Sequence, residues 1–397
     1  VNTGTARGAA ETAPTVQQTA VERQHVARAY DRLHNWLFVV DAVLILAIFM
    51  LLLWRGERGW SFALQHGIEN LIGANPWASS AGYALVLLVG YTLALLPYAW
   101  WKGWYLERAY GLGTQPLTRW LWDEGKALGL TLALGIPVIM VFYWLLRSTG
   151  AWWWLCAAGA WIVLQVVLGM VFPVLILPLF YTVAPLQDTA LLKVARDIAR
   201  QARFDVLGLY RLDLSAKTVK ANAALAGLGA TKRILLGDTL LQHFPLPEIA
   251  AIIAHECGHY YHRHIWKLVG AAAIIIIPGM WLADAVARRG AALLGITDIA
   301  VPATLPLFAL ALFVFGLATM PATNMISRYF EWQADAFALR ATGDAPAFIA
   351  AMRRLAEMNL AYMQPHPVIE FLLHSHPCLA QRIAFARAWT SREDAPQ

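Results

Sequence analysis

Apolar residues gather into six stretches of about 20, at 36–54, 80–101, 127–147, 152–184, 265–287 and 303–326. As helices they are long enough to cross a hydrocarbon core of about 30 Å. The fourth stretch carries Pro173, Pro178 and Pro185, which predicts a kink or an exit from the bilayer before its end. "WSFALQHGIENLI" (60–72) has an amphipathic pattern and predicts a surface helix or a concealed further span. Residues 1–20 are small and polar, and 17–35 predict a surface helix running up to the membrane. The main polar block is 186–264. Its periodicity predicts an amphipathic helix at 188–203 and short strands in "LGLYRLDL" (207–214), "ANAALAGL" (221–228) and "KRILLGDTLL" (232–241). "LPEIAAIIAHECGHYYHRHIWKLVGAAAIIII" then reads as one helix entering the fifth span, with Pro247 in its first turn, where a missing N–H costs nothing.

Composition agrees with a membrane protein. Of 397 residues, 59% are hydrophobic and 14% charged, against about half and a quarter in soluble domains. Trp residues suit bilayer interfaces. The net charge of +6 lies in loops beside apolar runs, which sets topology and argues against a nucleic-acid partner. Arg23, Arg28 and Arg32 precede the first span, and Lys102, Arg108, Arg119 and Lys126 fill the second loop. The first loop has only Arg55 and Arg58, the third only Arg147, so the N-terminus, second loop and 186–264 are expected on the cytoplasmic side. Arg288 and Arg289 run against this pattern. Cys156, Cys257 and Cys378 make an odd, unpatterned set, which excludes a disulfide scaffold. No small-residue cleavage site follows the first apolar run, so it is expected to be a span rather than a signal peptide. The expected divisions are a flexible arm (1–35), a transmembrane bundle (36–185), a soluble catalytic segment (186–264), a transmembrane hairpin (265–326) and a C-terminal catalytic segment (327–397).

Chemistry concentrates in "AHECGHYYHRH" (254–264). His255 and His259 are i and i+4, so both rings leave one helix face and two nitrogens can reach one ion. Glu256, about 100° around the helix, stands beside that ion as a general base. Nitrogen and oxygen donors with one open position favour a single Zn²⁺. Isolated matches to this pattern are common, so a third ligand is required. His262 shares that face but has poor tetrahedral reach one turn further along the same helix, and His264 points elsewhere; both read as solvated or interfacial residues.

"ISRYFEWQADAFAL" (326–339) supplies the candidate, since Glu331 and Asp335 are again i and i+4. If the fifth and sixth spans are antiparallel neighbours, His255, His259 and Glu331 all stand roughly 14–20 Å above one membrane boundary. Asp335, a turn from Glu331, can then accept from a ligating histidine and fix its tautomer.

At this point the chain resembles the type 1 CAAX prenyl protease family of membrane zinc metallopeptidases. The likeness rests on "YAWWKGWYLERAYGLGTQ" (98–115), "FPVLILPLFYTVAPL" (172–186), "ANAALAGLGATKRILLGDTLL" (221–241), "HECGH" (255–259), "SRYFEWQADAFAL" (327–339) and "HSHPCLAQRI" (374–383), in the family's order. It implies His255, His259 and Glu331 as zinc ligands, Glu256 as base, and Asn222, His376 and Arg382 lining the site, with His376 and Arg382 expected to act catalytically by stabilising the developing oxyanion. It also implies that Asn222, Ala223 and Ala224 lie on a strand that pairs with an extended substrate. The fold it implies is mainly α: a polytopic membrane protein of six or seven spans enclosing a chamber, with a small α+β catalytic domain of zincin type. The expected partners are the lipid bilayer and a peptide or membrane-protein substrate, prenylated or not. The expected location is a bacterial inner membrane or a eukaryotic endoplasmic reticulum, with the site facing the cytoplasm. A quality-control protease without prenyl specificity and a metal-binding transporter are the alternatives. Cys378 departs from the family, which commonly has a second proline after His-Pro, and Ala224–Leu225 stands where many members carry aromatic residues.

Overall fold

The computed structural model describes residues 16–201 and 208–393. Among these, six helices are long and apolar enough to cross a membrane: Glu22–Leu53, Pro76–Ala109, Leu117–Ser148, Gly150–Phe180, His264–Leu294 and Pro302–Thr342. Helix α1 (Val16–Leu53) carries the first span and continues past it. The arm expected over 1–35 is therefore helical from Val16, and it is docked rather than free. Arg23 Nη2 donates to the Glu357 carbonyl at 2.8 Å, and Ala27 and Tyr30 are buried. Residues 1–15 lie outside the described residues.

Helix α2 (Trp60–Ile72) is the amphipathic stretch, and it buries Ser61, Phe62, Gln65 and Ile68. Its length of about 20 Å falls short of a bilayer core. Ser61 Oγ donates to the Ala303 carbonyl and Gln65 Oε1 accepts the Ala303 N–H, so α2 is fastened to the loop before the last span. Helix α3 (Pro76–Trp100) continues through a π-helical turn (Trp101–Tyr105) to Ala109. Helix α4 (Leu117–Ser148) forms the third span. Helix α5 (Trp153–Val171) is followed by a second π-helical turn (Phe172–Ile176) at Pro173 and ends at Phe180. The fourth span thus leaves its helix before Pro185, as its prolines predict.

The lobe outside the spans follows. Its elements are β1 (Val183–Pro185), α6 (Thr189–Gln201), β2 (Gly208–Leu212), β3 (Ala223–Ala226), β4 (Arg233–Gly237), α7 (Asp238–His243) and α8 (Leu246–Tyr261). The sheet order is β1-β2-β4-β3, with β2 and β4 parallel and both outer pairs antiparallel. Strand β1 was missing from the sequence reading; it is three residues long and its Pro185 is tolerated because the strand is at an edge. Leu240 and Leu241, read as strand, are in α7.

Helix α9 (His264–Leu294) is separate from α8. The single helix expected through 246–277 breaks at Arg263, whose φ of 55° is left-handed. Helix α10 (Leu305–Thr342) is unbroken from the last span into this lobe. Helices α11 (Ala345–Met358), α12 (Pro367–Leu373) and α13 (Leu379–Glu393) complete the lobe. Its core joins Ile234 and Leu236 of the sheet to Ile253 of α8, Leu339 of α10 and Phe348 of α11. Arg288 pairs with Asp284, which also accepts from Trp153 Nε1 at 2.7 Å, so its charge is offset locally. A largely apolar cavity of about 750 Å³ lies among the spans, lined by Phe49, Tyr91, Trp161, Gln165, Ile276 and Phe313.

Candidate active site

Helix α8 packs directly on α10. A Cβ at Gly258 would stand 2.9 Å from Ala334 Cα, so only glycine permits this approach. The contact brings His255, His259 and Glu331 together, with ligand atoms within 4.8 Å of one another. His255 Nε2 and His259 Nε2 are 3.1 Å apart. Each lies 3.4 Å from a Glu331 carboxylate oxygen. Glu331 thus stands at the height of the two histidines, as expected, although the helix through 246–277 is broken.

The outer hydrogen bonds determine which nitrogens face inward. Asp335 Oδ1 is 2.8 Å from His255 Nδ1 and accepts its N–H, leaving Nε2 to the site. Asp335 is fully buried, and Arg382 donates to it from Nε at 2.8 Å and Nη2 at 2.6 Å. On the other side, His264 Nε2 donates to Gln333 Oε1 at 2.9 Å. That leaves His264 Nδ1 as an acceptor, 3.0 Å from His259 Nδ1, so His259 donates there and turns Nε2 inward. His264, read from sequence as interfacial, is instead 1% exposed and stacked on Phe330 at 4.4 Å. His262 is half-buried and stacks on His264.

Two imidazole nitrogens and a carboxylate thus face one point from three sides. Glu331 Oε2 is buried with no hydrogen-bond donor. Such a set requires a positive species between its members. Without a metal, a proton fills part of that need. Burial pushes His255 down, but its hydrogen bond to Asp335 and the Glu331 carboxylate 3.4 Å from its Nε2 outweigh this and lift it to about 10. A divalent ion fits better: nitrogens bonded to tetrahedral zinc are about 3.3 Å apart, close to the spacing here. Cys257 faces away into the core, and burial pushes its thiol up to about 12.

The open side is a cleft of about 650 Å³. Glu256 lines it and its Oε2 accepts the Leu225 N–H of β3 at 2.7 Å. Strand β3 is at the sheet edge, so one row of its backbone groups faces the cleft. Asn222 is exposed at the start of this edge, and Ala223 and Ala224 are half-buried along it. His376 stands across the cleft with Nε2 3.4 Å from Glu331 Oε1. Arg382 also lines the cleft, but two of its nitrogens are committed to Asp335. Sequence reasoning missed three contributors: His264 with Gln333, Asn359, and the face of α1 bearing Tyr30, Asp31 and His34, which forms a cleft wall.

Comparison with known proteins agrees with this geometry. Residues 185–390 match the model of peptidase family M48. The chain is a member of that family. Residues 8–182 match the CAAX prenyl protease N-terminal region, described by five membrane helices; here four long helices and the short α2 occupy that range. Metalloprotease YhfN of Bacillus subtilis is 29% identical over 379 residues, covering 94% of this chain and 86% of that protein. A probable CAAX prenyl protease 1 of Schizosaccharomyces pombe is 29% identical over 374 residues, covering 90% and 78%. The crystal structure of S. mikatae Ste24p superposes with a TM-score of 0.79 at 26% identity, covering 94% of this chain and 91% of that one. This M48 protein is a multi-pass membrane metalloprotease with a helical chamber fold.

Proposed function

We propose that the protein is a zinc endopeptidase that cleaves an extended peptide laid along β3, acting near the C-terminus of prenylated substrates. The observation that carries the reading is the orientation of two imidazoles, whose Nδ1 atoms are held from outside so that both Nε2 atoms face Glu331, one oxygen of which is buried without a hydrogen-bond partner. His255, His259 and Glu331 hold the ion, which when bound polarises a peptide carbonyl and acidifies a water molecule. Glu256 takes the proton from the attacking water and returns it to the leaving amine. His376 donates a hydrogen bond to the carbonyl oxygen as charge develops there. Asp335 orients His255, and Arg382 holds Asp335 in place. Ala223 and Ala224 with Asn222 receive the peptide main chain, so binding reads backbone more than side chains. Prenyl specificity is supported by the names of the fungal and other relatives, and the loop charges support a site facing the cytoplasm.

Purified protein should carry one zinc per chain, and His259→Ala should lose it. Glu256→Gln should keep the metal and lower cleavage by about 10²–10⁴-fold. Full activity in that variant would remove the mechanism. Farnesylated and unmodified versions of one peptide, assayed side by side, test the substrate; equal rates would indicate a peptidase without prenyl specificity.

A further inference from the structure

Backbone groups along an edge strand point alternately toward the sheet and away from it. The Gly237 N–H donates to the Asn222 carbonyl at 2.9 Å, so residue 222 faces β4, and Ala221, Ala223 and Leu225 face the cleft. At the Leu225 rung the N–H already donates to Glu256 Oε2 at 2.7 Å, which leaves the Leu225 carbonyl for a peptide. The Ala221 rung is already occupied. Asn359 Oδ1 accepts the Ala221 N–H at 2.8 Å, and Asn359 Nδ2 donates to the Ala221 carbonyl at 2.9 Å. One carboxamide thus satisfies both groups that a further stretch of paired peptide would need.

The surroundings hold this rung fixed. Thr239 Oγ1 donates to the Lys220 carbonyl at 2.8 Å. The Lys220 ammonium pairs with Glu107 at 2.7 Å and donates to Tyr30 Oη at 2.8 Å, tying the strand's entry to two membrane helices. Tyr30, Asp31, Leu360 and Tyr362 line the cleft at this end. At the opposite end of β3, Leu228 packs on Gly169 of α5, so the edge leads toward the spans.

We propose that Asn359 terminates the substrate ladder: an extended peptide pairs with the Leu225 carbonyl and with Ala223, is refused at Ala221, where both groups are taken, and is thereby limited in length on that side of the scissile bond. Asn359 is a positioning and specificity residue that acts through backbone hydrogen bonds. The inference rests on the peptidase reading above.

The test uses the full-length, metal-loaded enzyme in bilayer vesicles and one cleaved peptide, blocked at both termini and lengthened one residue at a time at each end. In the wild type, kcat/KM should stop improving at one end once the Ala223 rung is covered. N-methylation of a peptide nitrogen pairing with Ala223 or Leu225 should lower kcat/KM by about tenfold, and one rung beyond Ala223 it should change nothing. In Asn359→Ala the plateau should move out by about two residues, with an N-methyl penalty appearing at the new rung. Asn359→Asp, which loses the donor to Ala221, should move it in the same direction and serves if the alanine variant does not fold. A uniform fall at every peptide length would make Asn359 merely a strand support and overturn the proposal. So would a wild-type N-methyl penalty that continues past the Ala223 rung. A metal-loaded wild type that cleaves no peptide of the series would instead sink the peptidase reading, and this inference with it, before any variant is made.

Discussion

Arg382 and Asp335 are joined by two hydrogen bonds inside the catalytic lobe, and the Asp335 oxygen that receives Arg382 Nη2 also receives His255 Nδ1. Asp335 is fully buried, so its charge is tolerable only while both partners are present. Arg382→Ala is expected to cost about 3–5 kcal/mol of stability. Arg382→Lys keeps a charge but cannot reproduce the paired donors, and should weaken metal binding by about tenfold or more. Thermal unfolding and competition with a chelator measure the two effects. Unchanged metal affinity in the lysine variant would show that this pair does not orient His255.

His264 plays the matching part for His259. His264→Phe keeps the stack on Phe330 but removes the ring nitrogen that accepts from His259 Nδ1. Metal affinity should fall by about 10–100-fold. His262→Phe touches neither bond and should bind metal as the wild type does. Equal losses in both variants would mean that packing, not tautomer selection, is what His264 contributes.

Much of this was legible in the chain. The six spans needed only length and apolarity, and the i, i+4 spacing placed two imidazoles on one face. Glu331 was reachable because α10 runs unbroken from membrane to site, so counting residues along it measured height. The same count along α8 and α9 was unsafe, since nothing local announces that Arg263 turns left-handed. His264 was misread for a related reason. A histidine beginning an apolar run looks interfacial until its partner Gln333, 69 positions away, is seen. The docking of α1 and the Asn359 clamp were equally hidden, because contacts across 138 or more positions leave no periodicity behind.

Metal uptake should release a proton. His255 in the metal-free site is lifted to about 10, against an ordinary value of 6.5. The protonated ring therefore supports the metal-free fold below about 6.5, and that support is lost as the pH rises through 10. Between those limits a metal ion must displace roughly one proton from His255, so apparent affinity should rise about tenfold per pH unit. Titration calorimetry at pH 7.5 in two buffers of different ionisation heat measures the proton directly. Identical heats in both buffers would contradict the assigned protonation.

Gly258 sets the distance on which the whole site depends. It lies between the two histidines, and an added Cβ would meet Ala334 Cα at 2.9 Å, Ala334 O at 3.1 Å and Phe337 Cβ at 3.1 Å. The nearest of these are backbone atoms of α10, so no rotamer change relieves them. Gly258→Ala must push α8 off α10, although alanine is the better helix former by about 1 kcal/mol. Overpacking of this kind costs about 1–3 kcal/mol, and the displacement opens the span between the histidine nitrogens and Glu331. The variant should therefore remain folded, with a lowered melting temperature, while losing metal at chelator concentrations that leave the wild type loaded. Ala334→Gly removes no Cα and should not rescue it, whereas Gly258→Ser should fail in the same way as alanine. A Gly258→Ala protein with wild-type zinc content and cleavage rate would show that the two helices have room to separate without opening the metal site.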